Sequence, residues 1–328
     1  MRQISPKQPM SPITHHFVDL NGIRMHYAQQ GAGPLVILCH GFPETWYSWR
    51  HQIPALAEAG FRVVAPDQRG YGRTDSPQAI EEYNALCLAG DLVMLVDALG
   101  EKSAVLVGHD WGSMITGYCA LLRPDVFRAV AFMSVPFLPR SRTSPVEEAR
   151  KIAGGKIFYQ TYFQEPGQAE RDLEANVRRS LLMLLYSVSG DPPPAERWSH
   201  LFDPSKTFID SLSEPTALPK WLTERDLEVM TAEFVRTGFR GGLNWYRNIE
   251  RNWHLTSSLD GARPAQPAMF LAGDLDVGLR IYPKAFEDID VNVPRLKSKV
   301  MLPGAGHWVQ QERPAEVTRA LLDFLRNL

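Results

Sequence analysis

The sequence predicts an α/β fold, a doubly wound and mostly parallel sheet whose chain is interrupted by an inserted helical cap domain. Three observations carry that reading. Short, unbroken apolar runs alternate with helical patterns through the first 137 residues; the alternation stops after Val135-Pro136; and it returns for the last stretch of the chain, from residue 255. Strands covered on both faces lose the inside–outside alternation of a half-exposed strand, and strands that alternate with helices are joined by crossovers, which makes the sheet parallel.

In chain order, Phe17–Gln29 alternates about Asn21-Gly22, a pair suited to the positive φ angles of a two-residue hairpin turn. Buried strands follow at Leu35–Cys39, Arg62–Ala65, Ala104–Val107 and Ala129–Met133, with helical stretches at Thr45–Ala59, Asn84–Leu99 and Ser113–Leu122 between them. From about Leu138 to His254 the pattern is helical, rich in Arg, Glu and aromatic residues, and broken by Pro192-Pro193-Pro194. Strand runs resume at Ala268–Leu271 and Lys299–Leu302, and a closing helix covers Pro314–Leu328. The expected organisation is a core in two parts, residues 1–137 and 255–328, with residues 138–254 as a cap. A site between cap and core excludes water, which suits reactive chemistry. No internal repeat or low-complexity tract is present.

Composition narrows the partners. The 328 residues are 44% hydrophobic and 22% charged, with a formal net charge of -2, so there is no electrostatic footprint for nucleic acid or an anionic membrane. Residues Met1–His16 are polar and interrupted by Pro6, Pro9 and Pro12, unlike a secretory leader, and the most apolar run, Leu181–Tyr186, is too short to span a bilayer. Cys39, Cys87 and Cys119 lie in apolar stretches without paired spacing and read as core residues of a reducing compartment. A soluble, cytoplasmic protein is expected. The sequence leaves room for a homodimer and carries no motif for one.

The chemistry concentrates at Gly108-His109-Asp110-Trp111-Gly112, between the strand ending at Val107 and a helix beginning near Ser113. This is a nucleophile elbow, in which small residues permit a tight strand-to-helix turn that lifts the central side chain off the sheet edge. The usual nucleophile is Ser; here it is Asp110. A serine attacking saturated carbon would form an ether, which activated water does not cleave. A carboxylate is already ionised near neutral pH and forms an alkyl ester, whose carbonyl water can attack. Asp110 therefore points to alkyl electrophiles, epoxides or alkyl halides, rather than to esters or amides.

Hydrolysis of that ester calls for a base and an orienting acid. His307, in Gly304-Ala305-Gly306-His307-Trp308, follows the last predicted strand, and Asp276 follows the one before it, in the order nucleophile, acid, histidine that belongs to folds built on this elbow. Asp274 is the neighbouring alternative to Asp276, which lies further out on the loop. His15, His51, His200 and His254 read as structural, and His40 as a turn histidine. In His40-Gly41-Phe42-Pro43-Glu44 the Phe42 backbone N–H, together with that of Trp111, is placed to form an oxyanion hole. Arg69-Gly70-Tyr71-Gly72-Arg73 lacks the third glycine of a phosphate loop and reads as a turn. Trp46, Phe137, Trp221, Met230 and Phe239 are candidates to shape a pocket.

With these residues in view, the chain resembles the soluble (cytosolic-type) epoxide hydrolases of the α/β-hydrolase superfamily over nearly its full length. The match is carried by His40–Trp49, Asp67–Gly72, Gly108–Gly112, Tyr159–Gly167 and Leu243–Asn252. The resemblance implies that two cap tyrosines, Tyr159 and Tyr246, hold the epoxide oxygen and donate a proton to it. Tyr162 lies one helical turn from Tyr159, but Tyr159 directly precedes Gln160 as in the family pattern. Such phenols are needed because ring opening generates an alkoxide, a poor leaving group. The implied reaction is hydrolysis of a small-molecule epoxide to a vicinal diol with water, without metal or organic cofactor. A haloalkane or haloacid dehalogenase is the nearest alternative, although halide leaves without needing a proton. A catalytically silent ligand-binding relative is the other, and it would show lost catalytic groups.

Overall fold

The computed structural model describes residues 12–328, so the leader reading of the first sixteen residues falls largely outside the described residues. The hairpin forms as expected: β1 (Thr14–Leu20) pairs antiparallel with β2 (Ile23–Gln30), and Asn21 and Gly22 turn the chain at φ 46° and 77°. The sheet continues with β3 (Leu35–Cys39), β4 (Arg62–Pro66), β5 (Ala104–His109) and β6 (Phe127–Met133). A separate two-stranded antiparallel pair, β7 (Ile157–Phe158) with β8 (Leu201–Phe202), sits within the inserted region, before β9 (Ala268–Gly273) and β10 (Leu296–Leu302) rejoin the main sheet. The order across the eight strands is β1-β2-β4-β3-β5-β6-β9-β10, parallel from β4 onward and antiparallel only around β2.

The unbroken apolar strands have the predicted cause. Leu35, Ile37 and Cys39 enter the packing layer on one face of the sheet, whereas Val36 and Leu38 enter the layer on the other. The same period of two divides Leu106 from Val105 and Val107, and Val130 and Phe132 from Ala129, Ala131 and Met133. The helices Ala85–Ala98 and Trp111–Leu122 cover the first face; Gln52–Glu58 and Pro314–Arg326 cover the second.

The expected helix over 45–59 is instead a 3₁₀ turn, Trp46–Trp49, followed by the helix Gln52–Glu58. Pro54 lacks an N–H and is tolerated only in a first helical turn, so the longer helix cannot run through; the Trp46 amide, free at the start of the 3₁₀ turn, donates to the Asp67 carboxylate at 3.0 Å. Four short helices, Val277–Ile281, Pro283–Glu287, Ile289–Asn292 and Val309–Glu312, were not expected, being too brief to show a periodicity. Cys39 and Cys119 are buried, and burial pushes both thiols up in pKa. Cys87 departs from the core reading: it is half-buried, beside Asn84 at the start of the Ala85–Ala98 helix.

Between β6 and β9 the chain forms seven helices, Pro145–Ala153, Tyr159–Tyr162, Gln168–Glu174, Val177–Ser187, Glu224–Thr237, Arg240–Arg247 and Ile249–Leu255. The Arg240–Arg247 helix seats this block on the turn at 69–73. A Cβ on Gly241 would lie 2.1 Å from the Gly70 carbonyl oxygen, and the Trp245 indole donates to the Arg69 carbonyl at 3.1 Å. Asn252 accepts from the Ala85 amide at 2.7 Å and so caps a core helix from the inserted side.

The elbow joins β5 to the Trp111–Leu122 helix, which starts two residues earlier than expected. Its two glycines are required by contact. A Cβ on Gly108 would meet the Gly112 carbonyl oxygen at 2.2 Å, and one on Gly112 would meet the Cys39 carbonyl oxygen at the same distance. Gly112→Ala should therefore destabilise the fold by about 1–3 kcal/mol, the usual penalty of overpacking. Urea unfolding with an unchanged midpoint would contradict this account of the elbow.

Candidate active site

Asp110 occupies φ 53°, ψ −119°, a conformation uncommon for a residue with a side chain, and it stands between the close-packed glycines. The Phe42 amide donates to Asp110 Oδ1 at 2.9 Å, and a Cβ on Gly41 would lie 2.3 Å from that same oxygen. Asp110 Oδ2 faces His307 Nε2 at 3.4 Å. His307 Nδ1 in turn lies 2.9 Å from Asp276 Oδ1, which also accepts the Gly278 amide at 2.7 Å. Asp276 is the acid that reaches the histidine. Asp274 instead accepts the Gly304 amide at 2.7 Å and holds the turn before β10's exit loop closes.

A cavity of about 50 Å³ collects the predicted residues: Asp110, His307, Tyr159, Tyr246, Phe42 and Trp111 all line it, with Asp276 immediately behind His307. The Tyr159 and Tyr246 rings are 6.0 Å apart, and Tyr246 meets the edge of Trp111 at 5.0 Å. Tyr162 turns away, its hydroxyl donating to Asp172. Trp46, Trp221, Met230 and Phe239 do not line this cavity, and neither does Phe137, which borders a larger neighbouring one. Trp46 packs on His15, Trp221 donates to Asp191, and Met230 and Phe239 fill the core of the inserted block, where apolar faces of helices mostly go. His40 is a turn histidine as expected: its ring bonds the Gly41 carbonyl and accepts the Gln68 amide.

Burial works against charge on every group here, and what decides each is its neighbours. For Asp110 the hydrogen bond and charge of His307, with help from the Phe42 amide, outweigh burial and hold the carboxyl below its usual range. For His307 burial would lower the pKa, but Asp276 and Asp110 together raise it well above 6.5. For the two phenols burial is the largest cause, with Tyr282 beside Tyr159, Tyr159 beside Tyr246 and the Asp110 charge adding to it, and both are raised well above their ordinary value.

Several residues of the site were not singled out from sequence. His109, the unassigned position of the elbow, is fully buried; its Nδ1 lies 2.7 Å from Glu44 and its Nε2 2.7 Å from the His307 carbonyl oxygen. Burial opposes the Glu44 charge, yet His109 and the Gly41 amide keep that carboxyl below its ordinary range. Glu312 accepts the amides of Gly190, Gly306 and Trp308 and so ties the His307 loop to the inserted block; burial pushes it up to about 7. Gln160 and Tyr282 also line the cavity. The adjacency of Glu44 to the Phe42 loop and of His109 to Asp110 was visible, but nothing in spacing distinguishes a buried partner from a surface residue.

A family model described as the alpha/beta hydrolase fold matches residues 34–314, and the chain belongs to that family. Its branch of the family is that of the epoxide hydrolases. Epoxide hydrolase A of Mycobacterium tuberculosis is 45% identical over 97% of this chain and 99% of its own length, and an epoxide hydrolase of Caballeronia sordidicola is 40% identical over 96% and 94%. Among solved structures, an epoxide hydrolase from an endophytic Streptomyces superposes with a TM-score of 0.93 at 44% identity, covering 96% of this chain and 95% of that one.

The His307–Asp276 pair makes a testable electrostatic statement. A histidine whose pKa is raised on folding adds stability that is fully present below its ordinary value, here 6.5, and is lost as pH rises through the raised value. In Asp276→Asn the His307 titration, followed by NMR of the imidazole, should move to lower pH, and the fall in unfolding free energy above pH 6.5 should shrink. An unmoved titration would remove Asp276 as its cause.

Proposed function

We propose that this chain opens epoxides to vicinal diols through a covalent ester on Asp110, and that residues 138–254 act as the cap that brings the proton donors to it. The observation that carries the reading is the convergence in one small cavity of an ionised carboxylate, a histidine–carboxylate pair and two protonated phenols. In this reading Tyr159 and Tyr246 hold the epoxide oxygen. Asp110 Oδ2, the oxygen not held by the Phe42 amide, attacks one ring carbon; the C–O bond breaks and the oxygen takes a phenolic proton. Esterification removes the Asp110 charge and with it part of what raises the His307 pKa, so the imidazolium gives up its proton, which restores the phenol, and the neutral imidazole becomes available as a base.

His307, oriented by Asp276, then takes a proton from water, which attacks the Asp110 ester carbonyl. The Phe42 and Trp111 amides receive the oxyanion, and collapse releases the diol with the original Asp110 oxygen in it. The phenols are also what separates this reading from dehalogenation, since halide departs without a proton. The reading is of a soluble, cytoplasmic enzyme: no helix among the described residues is long and apolar enough to cross a membrane, and two free thiols are buried.

One turnover in ¹⁸O-water should place label in the Asp110 carboxylate and leave the first diol unlabelled; label appearing directly in that diol would overturn the covalent route. In His307→Gln the ester should form and persist, visible as an intact-mass adduct. Tyr159→Phe and Tyr246→Phe should each slow ester formation by about 10²-fold, within the range for loss of a general acid. Rates of ester formation near wild type in both would assign the proton elsewhere.

A further inference from the structure

The cavity at Asp110 adjoins a second one of about 480 Å³, within the roughly 300–1,000 Å³ of small-molecule sites. The larger space is mostly apolar, with walls from Leu121, Phe137, Leu138, Ile152, Ile249 and Leu259. The Asp110 cavity, at about 50 Å³, holds a few waters or a three-membered ring and little else. A substrate substituent of any length must therefore pass out of it. Five residues face both spaces: Trp111, Met114, Gln160, Ile281 and Tyr282.

These five form the partition, and they come from three parts of the fold. Trp111 and Met114 lie on the helix fixed by the elbow; Gln160 comes from the inserted block; Ile281 and Tyr282 follow Asp276. Gln160 Nε2 donates to the Tyr282 hydroxyl at 3.0 Å and to the Tyr159 hydroxyl at 3.0 Å. One amide thus latches the partition and steadies a proton donor. Tyr282 joins two short helices ahead of Pro283, and it lines both cavities.

We propose that Tyr282 is a specificity-determining residue: its ring, latched to Gln160, closes the chamber around Asp110 and limits how far an unbranched apolar substituent reaches into the adjoining cavity. No step assigned above passes through Tyr282, but its Gln160 latch also reaches the Tyr159 hydroxyl, so the effect of shortening it is read as a ratio between two substrates, in which a change at Tyr159 common to both cancels. The inference rests on the epoxide-opening reading for its substrates, but the partition itself is a statement about volume.

The test compares 1,2-epoxybutane with 1,2-epoxydodecane. Tyr282→Ala should raise the ratio of kcat/KM for the long over the short epoxide by about tenfold or more. Tyr282→Phe, which loses the latch and keeps the ring, should raise the ratio less. If the alanine variant does not fold, Tyr282→Leu takes its place. A second readout is independent of turnover: calorimetry with butanamide and dodecanamide, whose carbonyl oxygen suits the phenols, should show the alanine or leucine variant gaining affinity for the long amide alone. A ratio within twofold of wild type, or equal losses with both substrates, overturns the proposal. Absence of diol from wild type would instead count against the epoxide reading, and the amide measurement would still decide the partition.

Discussion

The site depends on one crowded backbone contact. At the elbow the Trp111–Leu122 helix approaches its own strand β5 and the neighbouring β3 so closely that neither Gly108 nor Gly112 has room for a Cβ. That contact forces the intervening residue into positive φ and sets its side chain off the sheet edge, facing the loop of Phe42. Any residue placed there would be held within reach of a backbone donor and of His307. The chemical identity of the protein then follows from which residue it is. A carboxylate in that position forms an ester that water can cleave, whereas a hydroxyl would leave a stable ether on the enzyme.

A rigid elbow would be of little use with a loose base. His307 is therefore held from several directions: Asp276 bonds its Nδ1, while its carbonyl oxygen accepts from Ser134 at 2.9 Å and lies 2.7 Å from His109 Nε2. Its amide donates to the Val188 carbonyl in the inserted block. Glu312 adds the amides on either side, Gly306 and Trp308, together with Gly190. A buried carboxylate satisfied by backbone donors fixes a loop without occupying a rotamer-rich contact, and here it binds the core loop and the inserted block to one another. His307 and the block that carries Tyr159 and Tyr246 are in this way parts of a single hydrogen-bonded assembly.

Much of this was legible in the sequence because it rests on local rules. The hairpin at Asn21-Gly22, the doubly covered strands and the elbow each depend on residues adjacent in the chain, and all three formed as read. Asp276 and His307 were legible from their order and their position after strands, and Tyr159 and Tyr246 only from family resemblance, since their pairing depends on how two helices far apart in the chain fold onto one cavity. What escaped was set by tertiary contact. The 45–59 helix is the exception, failing for a local reason: Pro54 is accepted only in a first helical turn, so the helix has to begin at Gln52. Five aromatic or apolar residues offered as pocket walls missed this cavity because burial does not say which space a side chain faces. Glu44, His109 and Glu312 carry ordinary-looking positions whose meaning appears only when their buried partners are known.

The most informative property of the cavity is that it holds two kinds of acid in opposite protonation states. Burial alone would neutralise both, raising a carboxyl and a phenol alike. Asp110 escapes because an imidazolium and a backbone N–H face it, and so it stays ionised; for Tyr159 and Tyr246 burial prevails, and a neighbouring phenol and the negative Asp110 raise them further. The same charge that prepares the nucleophile thus keeps the proton on its partners. Nucleophile and acid are assigned by environment, not by their intrinsic strengths, and the assignment reverses at the right moment. In the proposed cycle, esterification of Asp110 removes its charge, the His307 imidazole loses one of the two carboxylates that favour its protonated form, and the group that balanced the nucleophile becomes the base that frees it.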